Sequence, residues 1–232
     1  MTINFDQFEV LSFDCYGTLI DWETGILSAL NPLLREKGVQ LSDAEILELY
    51  AEIEPEVQQK EFQNYKTVLE SVLSELGKRL AFNISPNERA ILHESLKTWP
   101  PFPDTNEMLA RLKRKYRLAI ISNIDDDLFY YSNKLLRVKF DWIITAEQAG
   151  SYKPSLNNFY FAIDKIGTPK EKILHVAQSI FHDIIPARSI GLTTVWVNRR
   201  QNRAGSGATR KAAAQPDLEV PDLKTLVQLM EA

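Results

Sequence analysis

The chain has 232 residues, 44% of them hydrophobic and 25% charged, with 27 Lys and Arg against 31 Asp and Glu and a formal net charge of −4. This composition is typical of a globular protein and excludes collagen, coiled coil and disorder as descriptions of the whole chain. No apolar run reaches the ~18–20 residues of a membrane span, the single cysteine excludes an internal disulfide, and the mildly acidic balance does not favour nucleic-acid binding.

Five short apolar runs are predicted to form buried strands of a parallel sheet, because their apolar residues are continuous and do not alternate with polar ones. They are Val10–Asp14, Leu118–Ser122, Trp142–Thr145, Ile173–Ala177 and Thr193–Val197. Helical segments between the later runs predict a doubly wound, Rossmann-like α/β core.

Three signals predict helix ends in this part of the chain. Asp104 is expected to cap a helix that ends near Lys115, and Thr168–Glu171 has the pattern of a capping box before a short helix. Pro186–Ile190 is expected to end another helix, which Gly191 stops.

Residues 15–117 separate the first two predicted strands. From about Glu23 to Trp99 the apolar residues recur at helical spacings, and Trp99–Pro103 marks the return to the sheet. We therefore predict a helical cap domain at residues 22–99, inserted after the first strand into a core domain of residues 1–21 and 100–232. Ligands of open α/β sheets bind at the carboxyl ends of the strands, so the cap is expected to lie over the site like a lid.

Polar side chains follow four of the predicted strands at those carboxyl ends. In chain order they are Asp14, then Ser122 and Asn123, then Lys153, then Asp183. One such residue alone would be expected at the surface, and it is their order over successive strands that indicates a site. Thr18 can donate a hydrogen bond to Asp14, and Gly17 permits a sharp turn between them.

Other polar segments are expected to be structural. The acidic triplet Asp125–Asp127 suits a solvated helix start better than a metal site. Ala204–Gln215 is predicted to be a mobile surface loop, and His182 and the buried Cys15 are expected to be structural. A basic run is predicted to be a solvated loop face; it comprises Arg199, Arg200, Arg203, Arg210 and Lys211.

This order of segments resembles the haloacid dehalogenase superfamily over nearly the whole chain. Asp14 matches the superfamily's nucleophile, Ser122 its second motif, Lys153 its third and Asp183 its fourth, and the long insertion resembles its helical cap. The resemblance implies covalent catalysis by Asp14.

Within the superfamily, two positions resemble the L-2-haloacid dehalogenase branch more than the phosphatases. Tyr16 stands where phosphatases of the superfamily carry a second Asp as general acid, and a departing halide, unlike an alkoxide, does not need a proton. Gln178 stands where magnesium phosphatases place a carboxylate, and its amide weakens a Mg²⁺ site.

The resemblance implies a role for each site residue. Asp14 would displace halide from a short 2-haloacid, Asp183 would orient or deprotonate the water that hydrolyses the ester, Lys153 would hold Asp14 ionised, and Thr18 would orient it. The substrate-binding residues would be Tyr16, Ser122, Asn123, Gln59 and Ser179.

The resemblance implies no required cofactor and no dedicated metal ligands, although weak Mg²⁺ binding at Asp14 and Asp183 is compatible with it. The expected partner is the small-molecule 2-haloacid, with no nucleic acid and no membrane, and a homodimer is the candidate assembly. The N-terminal residues lack the basic start and apolar stretch of a signal peptide, so the expected compartment is the cytoplasm.

The chain departs from the dehalogenase pattern in its substrate contacts. No arginine occurs in Glu56–Phe62, where the family's cap arginine is expected, and Phe159 replaces an expected tyrosine. Two alternatives therefore stay open: a phosphatase of a small metabolite, and a catalytically silent binding protein of the same fold.

Overall fold

A six-stranded sheet forms the centre of the computed structural model, which describes residues 3–58, 61–201 and 207–232. The strand order is β3-β2-β1-β4-β5-β6, and every neighbouring pair is parallel. The strands are β1 (Val10–Phe13), β2 (Arg117–Ser122), β3 (Trp142–Thr145), β4 (Ile173–Ala177), β5 (Thr193–Val197) and β6 (Leu218–Val220).

The predicted doubly wound α/β sheet is confirmed, and three of the five predicted strands have the expected bounds. The first strand ends at Phe13, so that Asp14 lies just beyond it, and the second begins one residue early, at Arg117. The edge strand β6 was not predicted, because its three residues include Glu219 and form no apolar run.

Helices flank the sheet and fill the long interval after β1. They are α1 (Trp22–Glu36), α2 (Asp43–Gln58), α3 (Tyr65–Arg79), α4 (Ile91–Ser95), α5 (Thr105–Leu112), α6 (Asp126–Leu136), α7 (Ala146–Ala149), α8 (Leu156–Ile166), α9 (Ile185–Ser189) and α10 (Leu223–Glu231). We refer to α1–α4 as the inserted helices; the domain bounds at residues 22 and 99 stay a prediction. Within the described ranges, no helix has the length and apolar character needed to cross a membrane.

The two faces of the sheet pack against different sets of side chains. Leu11 and Phe13 of β1 belong to a large buried cluster that continues into the inserted helices, whereas Val10 packs in a second cluster with Phe159 of α8. Because successive side chains of a strand point to opposite faces, β1 is buried on both. Asp14 is thereby held at the end of a strand whose four residues are all buried.

Asp125 joins the inserted helices to the sheet. Its carboxylate is 3% exposed and accepts hydrogen bonds from the backbone N–H groups of Tyr65 (2.7 Å) and Lys66 (3.1 Å) at the start of α3. A helix N-terminus favours a negative charge. The predicted solvated cap is therefore wrong for Asp125, because this carboxylate caps a helix that is distant in sequence.

The predicted solvated basic face is wrong for Arg199 and Arg200. Arg199 donates to the carbonyl oxygen of Thr18 (3.0 and 3.2 Å) and to Asp104 (2.8 Å), and Arg200 pairs with Glu23. Carboxylates from distant parts of the chain draw both arginines inward. Arg203 lies outside the described residues.

The predicted surface loop also contains buried residues. Ala208 is 1% exposed and its backbone N–H donates to Glu23 (3.0 Å), while Thr209 is 8% exposed. The surface prediction is therefore wrong for these two residues; residues 204–206 lie outside the described part of the chain.

Two helix-end predictions also need correction. Asp104 makes no capping bond to α5, which ends at Leu112, because its carboxylate accepts from the backbone of α10 at Leu223 (2.8 Å). Thr168 does not form a capping box either; only a 3₁₀ turn follows, and the hydroxyl accepts from Arg117 (3.1 Å). The helix end predicted before Gly191 is confirmed, because α9 ends at Ser189.

Gly25 provides a test of the packing between α1 and the chain that returns to the sheet. A Cβ atom at Gly25 would lie 2.3 Å from Cγ of Trp99, which is 2% exposed. We expect Gly25→Ala to lower the free energy of unfolding by about 1–3 kcal/mol, because overpacking outweighs the better helix propensity of alanine. Urea unfolding measures this; Ser28→Ala, at an exposed position of the same helix, should change stability by less than about 0.5 kcal/mol. Equal stability of the two variants would contradict the described contact.

Candidate active site

The turn after β1 places Asp14 at the sheet edge. The Asp14 backbone N–H donates to Val176 of β4 (3.1 Å), and the chain then turns so that the N–H groups of Leu19 and Ile20 both donate to the Cys15 carbonyl oxygen. Gly17 has a φ of +95°, and a Cβ there would lie 2.9 Å from Oε1 of Gln178. Glycine is therefore required at this turn, as its position in the sequence predicts.

Lys153 joins two carboxylates at the centre of the site. Lys153 is 2% exposed, and its ammonium donates to Oδ1 of Asp14 (2.9 Å), to Oδ1 of Asp183 (2.6 Å) and to the carbonyl oxygen of Ile121 (2.8 Å). These three bonds use all three ammonium donors. The order of polar residues along the sequence thus identified three groups that touch one another.

Asn123 holds the backbone of Lys153. Its Oδ1 accepts from the Lys153 N–H (2.7 Å) and its Nδ2 donates to the Lys153 carbonyl oxygen (3.0 Å). The substrate contact of Asn123 stays a prediction, and in the structure its side chain positions the backbone of Lys153.

Thr18 ties Asp14 to the loop after β4. Its buried hydroxyl donates to Oδ2 of Asp14 (2.7 Å) and accepts from the backbone N–H of Gln178 (2.8 Å). Each carboxylate oxygen of Asp14 therefore has one donor, Lys153 on Oδ1 and Thr18 on Oδ2.

His175 supports Asp183 from inside the sheet, a role that the sequence did not predict. Its Nε2 lies 3.0 Å from Oδ1 of Asp183 and its Nδ1 lies 2.9 Å from the Ser12 hydroxyl, and both His175 and Ser12 are fully buried. An ionised Asp183 can only accept, so Nε2 carries the proton. In the sequence, the only indication of this role was one polar residue in each of two apolar strands, Ser12 in β1 and His175 in β4. Oδ2 of Asp183 is buried and has no partner in the described part of the molecule.

Burial and charge move the pKa values of the two carboxyls in opposite directions. Burial, reinforced by the charge of Asp183, raises the pKa of Asp14 above its usual range, and Lys153 offsets this only in part. Burial also acts to raise the pKa of Asp183, but Lys153 and His175 together hold it below its usual range. The expectation that Lys153 sets the ionisation of Asp14 is therefore incomplete, because burial has the larger effect.

A cavity opens over these groups, between the strand ends and the inserted helices. It is lined by Asp14, Tyr16, Trp22, Glu54, Tyr65, Ser122, Asn123, Lys153, Gln178, Ser179, His182, Asp183 and Thr209. The cavity thus brings together the predicted site residues except Thr18, which lies beneath Asp14, and Gln59, which lies outside the described residues.

Tyr16 does not present an acid to the nucleophile. Its hydroxyl lies 2.8 Å from the Ser132 hydroxyl of α6, and its ring packs edge-on against Trp99. Burial raises the pKa of Tyr16 well above its usual range, so the phenol stays neutral.

Two further predicted residues contribute neutral groups. Ser122 has a buried hydroxyl without a partner among the described residues. Ser179 accepts from the backbone N–H of His182 (2.9 Å), and burial lowers the pKa of His182 to about 4, so that its ring is neutral at pH 7.

Glu54 lines the cavity although no motif in the sequence pointed to it. It is 5% exposed, and its Oε1 accepts from the Tyr65 hydroxyl (2.8 Å) and from Nε2 of Gln58 (3.0 Å). Burial raises its pKa to about 7. The available signal was a glutamate four residues after Tyr50 on the buried face of α2.

The donor set fits a Mg²⁺ ion poorly. Hard cations prefer charged oxygens, yet Asp14 and Asp183 already share one ammonium, and the Gln178 amide accepts from Thr209 (3.2 Å). The described residues contain no group of three or more His, Cys, Asp or Glu side chains arranged to hold a metal. We therefore derive no catalytic step through a metal.

A model of the family described as haloacid dehalogenase-like hydrolase matches residues 11–197. The (S)-2-haloacid dehalogenase of Pseudomonas sp. (strain YL) is 26% identical, with 97% of this chain and 96% of that protein covered. The glyceraldehyde 3-phosphate phosphatase of Methanothermobacter thermautotrophicus is 30% identical, but over only 56% of this chain and 58% of its own. The L-2-haloacid dehalogenase structure from Xanthobacter autotrophicus, with chloropropionic acid covalently bound, gives a TM-score of 0.80 at 20% identity, with 97% and 98% of the two chains covered. This last likeness establishes the fold.

Removal of the Thr18 hydroxyl tests the ionisation of Asp14. In Thr18→Val, Asp14 loses a donor and the Gln178 N–H loses its acceptor, so we expect a loss of about 1–3 kcal/mol of stability near neutral pH. The pKa of Asp14 is raised in the folded state, so its ionisation destabilises the fold at high pH and not at low pH. Loss of the hydroxyl raises the pKa of Asp14 further. The stability that Thr18→Val loses relative to the wild type should therefore become smaller as the pH is lowered.

Urea unfolding at several pH values measures the deficit, with Thr18→Ser as the control that keeps the hydroxyl. A deficit independent of pH, or one equally large in Thr18→Ser, would show that the hydroxyl does not hold the charged form of Asp14.

Proposed function

The chain belongs to the haloacid dehalogenase-like hydrolases, and from this premise we propose that it hydrolyses the carbon–halogen bond of short 2-haloacids through an ester of Asp14. The full-length similarity to an (S)-2-haloacid dehalogenase supports the proposal. The similarity to a phosphatase covers little more than half of the chain.

The observation that carries the proposal is the charge balance of the cavity. Lys153 is the one cation among the described residues that line it, and two carboxylates already share this ammonium. A phosphate ester dianion would bring two further negative charges to a site without a second cation. A 2-haloacid brings one, and Coulomb repulsion in a buried site makes this difference large.

The first step is a displacement at the carbon that bears the halogen. A carboxylate oxygen of Asp14 forms a bond to this carbon while the carbon–halogen bond breaks, and its electron pair leaves with the halide. Thr18 and Lys153 hold the two oxygens of Asp14 in place, which favours a single attack direction.

The second step returns Asp14 to its starting state. Water adds to the carbonyl carbon of the ester while Asp183 accepts one of its protons. The intermediate then expels the product as an alkoxide, which takes this proton from Asp183 to give the 2-hydroxyacid, and the second water proton leaves to solvent as Asp14 becomes a carboxylate again. Oδ1 of Asp183 is occupied by Lys153 and His175, so the unpartnered Oδ2 is the atom that takes the first water proton.

Neutral donors hold the substrate carboxylate in this proposal. The Ser122 hydroxyl is buried at the end of β2 without a partner in the described residues, and the indole of Trp22 lines the same cavity. Halide binding would then use the wall formed by the inserted helices. The predicted homodimer and cytoplasmic location stay predictions.

Release of halide from 2-chloropropionate tests the proposal. We expect release that EDTA does not reduce, and a loss of more than ~10³-fold in Asp14→Asn, because the nucleophile is removed. The matched control is Asp127→Asn, an exposed aspartate that pairs with Lys66. Mg²⁺-dependent phosphate release from p-nitrophenyl phosphate, without halide release, would support a phosphatase instead.

Asp183→Asn separates the two chemical steps. Without a carboxylate to accept the proton from water, ester hydrolysis should slow more than ester formation, so the covalent adduct should accumulate. Mass spectrometry of the intact protein after mixing with substrate should show the added mass of the acid without halogen. Absence of an adduct in a variant that still releases halide would contradict an ester intermediate.

A further inference from the structure

We propose that Glu54, in its acid form, donates a hydrogen bond to the leaving halide from the inserted helices, on the side of the substrate away from Asp14. This inference rests on the proposed function and adds to it a residue that matches no motif of the family resemblance. The contribution of Glu54 should be largest for fluoride, which is the most basic of the halides.

The hydrogen bonds of Glu54 fix where its proton lies. Both donors, Tyr65 and Gln58, point to Oε1, and Oε2 has no partner in the described ranges. In the acid form, Oε1 is therefore the carbonyl oxygen that accepts both bonds, and the hydroxyl is at Oε2. This hydroxyl is the one group of Glu54 free to bond a ligand in the cavity that Glu54 lines.

The position of Glu54 suits the leaving group and not the nucleophile. Asp14 lies at the strand ends, whereas Glu54 is on α2, in the wall formed by the inserted helices. An in-line displacement sends the halide away from the attacking carboxylate, which is toward this wall. The hydroxyl of Tyr16, two positions after the nucleophile, is hydrogen-bonded to Ser132, so Tyr16 does not act as the donor to the leaving group.

The surroundings of Glu54 keep its acid form available near neutral pH. The titratable groups that face it or share the cavity with it are Tyr50, Tyr65, Tyr152, His182, Lys153, Asp14 and Asp183. Arg210 lines a neighbouring pocket beside His182. The tyrosines stay neutral because burial raises their pKa values above the usual range, and His182 is neutral because its pKa is lowered to about 4. Lys153 is bonded to the two aspartates and not to Glu54.

The step balances without a further reactant. Asp14 forms the carbon–oxygen bond, the carbon–halogen bond breaks toward the halogen, and Oε2 of Glu54 donates its hydrogen bond to the departing halide. Fluoride is a weaker base than the Glu54 carboxylate, so the proton stays on Glu54 and the departing fluoride accepts a strong hydrogen bond from it. Bromide is a far weaker base still, so the hydrogen bond to departing bromide is weaker.

Turnover of two halogens in three proteins tests the inference. We compare kcat/KM for fluoroacetate and bromoacetate from about pH 5.5 to pH 9 in the wild type, Glu54→Gln and Glu56→Gln. Glu56 is the matched control, because it is exposed on the same helix and pairs with Arg79.

In the wild type, fluoroacetate turnover should fall about tenfold per pH unit above the Glu54 pKa. The decline should be smaller on bromoacetate, because departing bromide accepts a weaker hydrogen bond. Glu54→Gln can still donate from its amide but does not titrate, so its rate near pH 6 should change by less than ~10-fold and its alkaline decline should disappear; Glu56→Gln should match the wild type. An unchanged alkaline decline in Glu54→Gln, or equal alkaline declines on the two substrates in the wild type, would overturn the inference.

Bromide binding gives a readout that does not require turnover. Quenching of tryptophan fluorescence by bromide reports on the cavity, since Trp22 lines it. The affinity for bromide should fall above about pH 7 in the wild type and in Glu56→Gln, because Glu54 then loses the proton with which it binds the anion. In Glu54→Gln the affinity for bromide should be independent of pH. The same pH dependence in Glu54→Gln would overturn the inference even if no haloacid is turned over, whereas failure of Asp14→Asn to affect activity would count against the proposed function alone. Far-UV circular dichroism confirms that the variants are folded.

Discussion

The site depends on one buried ammonium placed between two buried carboxylates. Without Lys153, the charges of Asp14 and Asp183 would face each other out of water, which costs several kcal/mol per ion. With it, Asp14 can ionise although burial raises its pKa, and Asp183 keeps a pKa below its usual range. The site therefore contains a strong nucleophile and a separate proton acceptor around a single cation.

The fold brings these charged groups together, because each of them follows a different strand of the sheet. Parallel strands bring their carboxyl ends to one edge, and bonds from Thr18, Asn123 and His175 then fix the three charged groups. The inserted helices supply the opposite wall and are attached through Asp125, whose carboxylate caps α3. Tyr65 links the two sides, because its backbone N–H donates to Asp125 and its hydroxyl donates to Glu54.

The sequence predicted the parts of the molecule that follow from local pattern. Continuous apolar runs located five strands, and the order of polar residues after them located Asp14, Lys153 and Asp183, because strand ends converge in this fold. Long-range pairing was not predictable in this way. Arg199 looked solvated because its partner Asp104 is far away in the chain, and Glu54 looked like an ordinary charged helix residue because its burial depends on contacts with α3.

The central claim is that Asp14 forms a covalent ester, and its most direct test is a single turnover in heavy-oxygen water with protein in excess over 2-chloropropionate. Water attacks the carbonyl carbon of the ester, so the account predicts that heavy oxygen enters the Asp14 carboxylate, detected by mass spectrometry of the peptide, while the product carries ordinary oxygen from Asp14. Label found in the product and absent from Asp14 would mean that water displaces the halide directly, and would contradict the account.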